Sequence, residues 1–244
     1  MKIEIADKYE SWRGWLTELP ETFEQTGKII YNERNQIRLI EAPEGTMLCV
    51  KRYHKPLLIN KFVYKYLRPS KARRAFENGL YLMAHGVGTP EPIAYIEEYE
   101  FGGLGYSYLI TRQSELKRLN REFTMRYKPE LDETIRPLAR FTAKMHNEGI
   151  LHEDFSPGNI LWDKVDGEYK FEIIDINRMS FGPVDIKAGC RSVQRICARR
   201  YFFDVFADEY AKARGLDKEE CRKWIHYYRD QFWHNGKKAN YQYD

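Results

Sequence analysis

The chain has 244 residues, 43% of them hydrophobic and 15% aromatic, and a formal net charge of +4. That is enough apolar content for one large domain or two lobes with packed cores, and too little net charge to define a partner by itself. The longest apolar runs, such as Tyr108-Leu109-Ile110, fall far below the roughly 18 residues of a spanning helix, and MKIEIADKYE carries acids where a secretory signal has an apolar core, so the cytoplasm is the expected compartment. Cys49, Cys190, Cys197 and Cys221 form no CxxC pair and no zinc-spaced cluster with histidine, which points to reduced thiols rather than a disulfide framework.

After an acidic, Trp-containing opening segment, KIIYNE, QIRLIEA and TMLCVKRY read as three short strands between Lys28 and Tyr53, with turns at Asn35 and Pro43-Glu44-Gly45. A helix follows from Ser70, a suitable N-cap, with Phe76, Leu80 and Met83 at helical spacing; Gly86 and Gly88-Thr89-Pro90 end it. Ile93 to Ile96 and Tyr106 to Thr111 add two strands around Phe101-Gly102-Gly103. The first 111 residues therefore predict a five-stranded antiparallel sheet with one main helix, an N-lobe. A hinge is placed at residues 112–116, and residues 117–244 predict a mostly helical C-lobe, an α+β chain of two lobes. There, Leu131, Ile135, Leu138, Phe141, Thr142 and Met145 keep a 3.6-residue period up to Gly149. Two short strands, Asn159 to Trp162 and Tyr169 to Asp175, flank a turn at Asp163 to Glu168.

Charge is unevenly placed. From Lys51 to Arg74 there are nine basic residues, Lys61 and Lys65 among them, and no acid; Lys187, Arg191, Arg195, Arg199 and Arg200 form a second run, with three arginines at spacing four that share one face if the segment is helical. Either run can be a solvated face with its stems covering apolar surface, or a surface for an anionic partner. His54, His85, His146, His226 and His234 show no metal-like grouping and read as core or surface histidines. The aromatic, basic closing segment WIHYYRDQFWHNGKKANYQY reads as helical packing, with no nucleic-acid motif beside it.

The stretch LHEDFSPGNIL, Leu151 to Leu161, places Asp154 two residues after His152 and Asn159 five after Asp154. Phosphoryl transfer needs a divalent metal against the phosphates, a carboxylate near the incoming hydroxyl and a cation on the phosphates that stay behind. Asp and Asn supply the oxygen ligands, and a hairpin from Asn159 to Asp175 would return the two side by side, as ligands of one magnesium site must be.

This spacing resembles the protein-kinase-like superfamily, with its His-x-Asp-x-x-x-x-Asn loop and later metal-binding Asp. The resemblance implies a bilobal protein-kinase-like fold and an ATP- and Mg2+-dependent phosphotransferase with an alcohol acceptor. It makes Asp154 the catalytic base or hydroxyl-orienting group, Asn159 and Asp175 the metal ligands and His152 a brace. Lys51, at the end of TMLCV, matches the lysine on the nucleotide phosphates, and Glu77 its helix partner. Glu153 stands where phosphorylation-switched kinases carry Arg, Ile176-Asn177 follow the metal Asp, and no Ala-Pro-Glu comes after, all unlike a Ser/Thr or Tyr protein kinase. The Gly-rich loop is missing: Tyr31-Asn32-Glu33-Arg34-Asn35-Gln36 stands in its place, leaving backbone N–H groups or Arg34 for phosphate.

Three stretches between Lys51 and Met179 look more specifically like the lipopolysaccharide kinase family, the Kdo and heptose kinases: YLRPSKARRAFENGLYLMAHGVGTPEPIAYIE, MHNEGILHEDFSPGNILW and IIDINRM. That resemblance implies phosphorylation of a sugar hydroxyl on an anionic, lipid-anchored glycan at the cytoplasmic face of the inner membrane, which gives the basic runs a purpose. Two alternatives stay open. The acceptor could be a soluble small molecule, as in aminoglycoside or choline phosphotransferases, or a protein; or the chain could be a pseudokinase binding module.

Overall fold

In the computed structural model, which describes residues 1–56, 68–100, 102–119 and 132–233, the β-branched runs near the N-terminus pair into an antiparallel sheet. Its strands are β1 (Lys2–Ile5), β2 (Lys28–Asn32), β3 (Gln36–Glu41), β4 (Met47–Tyr53), β5 (Pro92–Glu100) and β6 (Gly103–Arg112), in the order β1-β5-β6-β4-β3-β2. The expected count of five is one short. β1 pairs with β5, Ile3 opposite Ile96, but buries only Ile5, so its four residues carry little alternation to read.

The sheet belongs to a unit of Met1–Ala84 and Pro90–Glu115; His85–Thr89 and Leu116–Asp244 form a second. Alternation along β4 sends Leu48 and Val50 to one face and Tyr53 to the other. The first face is covered by a helix that the sequence reading missed, α1 (Arg13–Thr22), whose Leu16 and Leu19, with Trp12 and Phe23, pack on Ile40, Ile96 and Ile110. Trp12, Leu16, Leu19 and Phe23 do keep helical spacing, across an internal Pro20. Burying each such side chain contributes about 1.5–3 kcal/mol.

Against the other face lies α2 (Lys71–Ala84), capped as expected: the Arg73 N–H donates to Ser70 Oγ at 3.0 Å. Its buried stripe is Ala72, Ala75, Phe76, Gly79 and Leu82, which leaves Leu80 and Met83 exposed, contrary to the spacing expected of them. Small residues let the helix approach the sheet, and Phe76 packs edge-on to Tyr95.

In the second unit β7 (Lys117–Arg118) runs beside the later strand Ile160–Val165, and α3 (Asp132–Asn147) buries Ile135, Leu138, Thr142 and Met145; Leu131 lies outside the described residues. Gly149, at φ 68°, ends α3 where a Cβ would lie 2.8 Å from the Gly182 carbonyl oxygen. The chain continues through β8 (Ile150–His152), β9 (Ile160–Val165), β10 (Glu168–Ile173), β11 (Met179–Phe181), α4 (Ile186–Ser192), α5 (Arg200–Arg214) and α6 (Lys218–Trp233). The β9–β10 turn is only Asp166-Gly167, both at positive φ, tighter than the span expected.

A buried polar chain joins three of these helices. Arg214 Nη1 donates to the Tyr210 hydroxyl at 2.6 Å, that hydroxyl meets His146 Nδ1 at 2.7 Å, and His146 Nε2 meets Ser192 Oγ at 3.3 Å. Burial, aided by the Arg214 charge, pushes the His146 pKa down to about 3.

Candidate active site

The loop between β8 and β9 is closed by its own backbone and by one imidazole. His152 is fully buried; its Nδ1 accepts from the Asp154 N–H at 3.0 Å and its Nε2 donates to the Ile174 carbonyl at 3.0 Å. These two partners fix the neutral tautomer, and burial holds the imidazole below the ordinary histidine range against the opposing pull of the Ile174 carbonyl and of Asp154, Asp175 and Glu153. One side chain thus ties the Asp154 loop to the residue before Asp175. β8 is also paired with β11, and the Ser180 hydroxyl donates to the Glu153 carboxylate.

Asn159 is drawn into the same knot. Its Nδ2 donates to the Asp154 carbonyl at 2.9 Å, and its own carbonyl accepts from the Ile174 N–H at 2.9 Å as the β9–β10 hairpin closes. Asp154, Asn159 and Asp175 are therefore brought together by backbone-level bonds. Asp175 is exposed at φ 59°, and its Oδ1 accepts from Asn177 Nδ2 at 2.9 Å.

The segment that ends α2 also serves this knot. Gly88 carbonyl accepts from the Ile173 N–H at 2.9 Å, Thr89 Oγ1 donates to the Ile173 carbonyl at 2.9 Å, and Lys144 Nζ donates to the Gly86 carbonyl at 2.5 Å. A Cβ on Gly88 would lie 2.0 Å from the Phe171 carbonyl oxygen. The Gly-Val-Gly-Thr sequence, read as a helix stop, laces onto β10 two residues before Asp175.

Arg195 is the site residue that sequence reasoning placed elsewhere. The face of three arginines does not form, because α4 ends at Ser192, a 3₁₀ turn spans Val193–Arg195 and Arg199 is extended. Arg195 Nη1 instead donates to Asp154 Oδ1 at 2.5 Å. Forty-one residues separate the partners, and no local pattern signals the pair.

In the first unit Lys51 lies opposite Leu109 in the β4–β6 ladder, half-buried, with Nζ 5.0 Å from the centre of the Tyr53 ring. Glu77 is exposed on α2 and pairs with Arg73 one turn back at 2.7 Å; the expected Lys51–Glu77 pair is not the one formed. The β2–β3 turn, standing where a Gly-rich loop would, exposes Arg34. Of the described members of the first basic run, Arg52 pairs with Glu24 at 2.6 Å, Lys55 with Glu100 at 2.7 Å and Arg73 with Glu77; Lys61 and Lys65 lie outside the described residues.

The donor set suits a hard divalent cation. Asp175 brings a carboxylate, and because Asn159 Nδ2 is committed to the Asp154 carbonyl its Oδ1 faces away, accepting no hydrogen bond among the described residues.

The fold is protein-kinase-like, and solved structures share it. A structure described as WaaP in complex with acyl carrier protein matches with a TM-score of 0.61 at 19% identity, covering 95% of this chain and 99% of that one. Amicoumacin kinase hAmiN, solved with AMP-PNP, Ca2+ and Ami, gives 0.56 at 12% identity, over 89% of this chain and 84% of its own. The Rio2 kinase–ADP/Mg2+–phosphoaspartate complex from Chaetomium thermophilum gives 0.53 at 17% identity, over 94% and 72%. No curated protein matches by sequence. The model of the lipopolysaccharide kinase (Kdo/WaaP) family matches residues 32–181, more than half the chain, and the chain belongs to that family: it is a kinase, a phosphotransferase with a hydroxyl acceptor.

Proposed function

We propose that the protein transfers the γ-phosphoryl group of ATP, with Mg2+, to a Kdo or heptose hydroxyl of a lipopolysaccharide core-type glycan. The observation that carries this is the knot in which His152 and the β9–β10 hairpin hold Asp154, Asn159 and Asp175 together. Asn159 and Asp175 would hold magnesium, which neutralises charge on the phosphates when bound. Asp154 orients the acceptor hydroxyl and takes its proton as the sugar O–P bond forms and the bond to the ADP oxygen breaks. Lys51 supplies the cation for the phosphates that remain on ADP. Glu77 was expected to fix Lys51; its pairing with Arg73 gives that role no support.

An anionic acceptor is favoured by Lys187 and Arg191, two exposed cations on α4 that form no ion pair among the described residues. Each cation near an anionic membrane surface contributes about 1 kcal/mol. No described helix is long and apolar enough to cross a membrane, and peripheral binding at the cytoplasmic face of the inner membrane fits this reading.

Purified protein given Mg-ATP and a Kdo- or heptose-containing lipid acceptor should release ADP and yield phosphorylated acceptor. Asp154→Asn should lower kcat by about 10²–10⁴-fold with ATP binding retained. Undiminished turnover in that variant would sink the assignment. Replacing Lys187 and Arg191 by Gln should raise the acceptor KM; an unchanged KM would favour a neutral, soluble acceptor.

A further inference from the structure

We propose that Arg195 is a positioning residue for Asp154 and that α6 is the splint that holds it in place. The inference rests on the reading of Asp154 as the hydroxyl-orienting carboxylate. Arg195 Nη1 sits 2.5 Å from Asp154 Oδ1, and both side chains are 43% exposed. An ion pair this open contributes little to stability, so its value lies in geometry. With Oδ1 engaged, Asp154 keeps Oδ2, which takes no hydrogen bond among the described residues, for the acceptor hydroxyl.

Three side chains of α6 converge on the short segment that carries Arg195. Trp233 Nε1 donates to the Gln194 carbonyl at 2.9 Å, immediately before it. Arg229, with no exposure at all, donates through Nε to the Ala198 carbonyl at 2.7 Å, three residues after it. Phe232 lies under the guanidinium, 5.3 Å from ring centroid to Cζ. Burying an arginine is costly unless its donors are used. Here Arg229 holds one backbone carbonyl and reaches Asp230 at 2.7 Å, so its burial fixes the path of residues 194–198. A stacked guanidinium loses less freedom when it binds a carboxylate than a lysine would, and its planar fork sets the carboxylate's orientation.

The test is steady-state kinetics with the Kdo- or heptose-containing lipid acceptor, on wild type, Asp154→Asn, Arg195→Ala and Arg195→Lys. Arg195→Ala should lose kcat by about 10²-fold, the size of effect that misplacing a reacting group produces, while the KM values for ATP and acceptor change less than about twofold. Millimolar guanidinium ion should restore part of that kcat, and Arg195→Lys should fall between the two. If Arg195→Ala does not fold, Arg195→Lys decides: a lowered kcat at unchanged KM supports the role. An unchanged kcat, or a loss confined to the acceptor KM, overturns it. Wild type as inactive as Asp154→Asn would overturn the kinase reading itself and the positioning role with it; an active wild type beside an unimpaired Arg195→Ala overturns the positioning role alone.

Discussion

Lys51 and Glu77 stand within a regular strand and helix, whereas Asp154, Asn159 and Asp175 stand where separate backbone segments bond to one another. In the first unit the expected partners are engaged locally, Glu77 by Arg73 and Lys51 by the Tyr53 ring. In the second, side chain and backbone are one construction: the imidazole that orients the Asp154 loop also holds the carbonyl next to Asp175. Chemistry should be removable from the first unit without loss of fold, while the second should resist such separation.

Lys51→Met makes the sharpest cut. On the phosphate-binding role proposed for Lys51, losing its cation should cost about 10²-fold or more in kcat/KM, with an unfolding midpoint near that of wild type; a collapse of the fold would break the contrast. Gly88→Ala acts the other way. Its Cβ meets backbone at 2.0 Å, and relieving that clash should cost about 1–3 kcal/mol, read by urea denaturation, with activity falling alongside because β10 moves. An Ala variant as stable and active as wild type would show that the lacing is dispensable.

Acid should weaken the second unit selectively. His146 is held near pKa 3 against 6.5 when unperturbed, so between these values the unfolded chain binds a proton that the folded chain refuses. Stability is therefore complete above pH 6.5 and declines as pH falls, by about 1.4 kcal/mol per unit once well below 6.5. Urea midpoints from pH 7.5 to 5 should show this slope, and His146→Gln should flatten it. The smallest effect belongs to Glu77→Gln: an exposed i,i+4 pair contributes under about 0.5 kcal/mol, and activity should stay within twofold. A large loss of activity would restore Glu77 to the Lys51 partnership.

What was legible follows from range. Strands with apolar alternation, the α3 stripe and the Asp154–Asn159 spacing are local patterns, and each is where the sequence places it. β1 escaped because four residues with one buried side chain carry almost no period, and α1 because Pro20 masked a spacing that was present. Leu80 and Met83 share the helical period of α2, yet the sheet took the row of small residues beside them. Glu77 had a local partner four residues back and was assigned a distant one by resemblance. Arg195 and Asp154 are joined only by the tertiary fold, as are Gly88 and β10, so no reading of neighbours in the chain could find them.

The left-handed backbone at Asp175 decides which tests of its proposed role as a metal ligand can be interpreted. Asp and Asn tolerate that conformation, whereas most other side chains pay about 1–2 kcal/mol to enter it. Alanine at this position would remove the carboxylate and also pull the chain toward a different turn, so a dead variant would say nothing about ligation. Asparagine keeps the turn and discards the charge, so that exchange separates the proposed ligand from the bend that presents it.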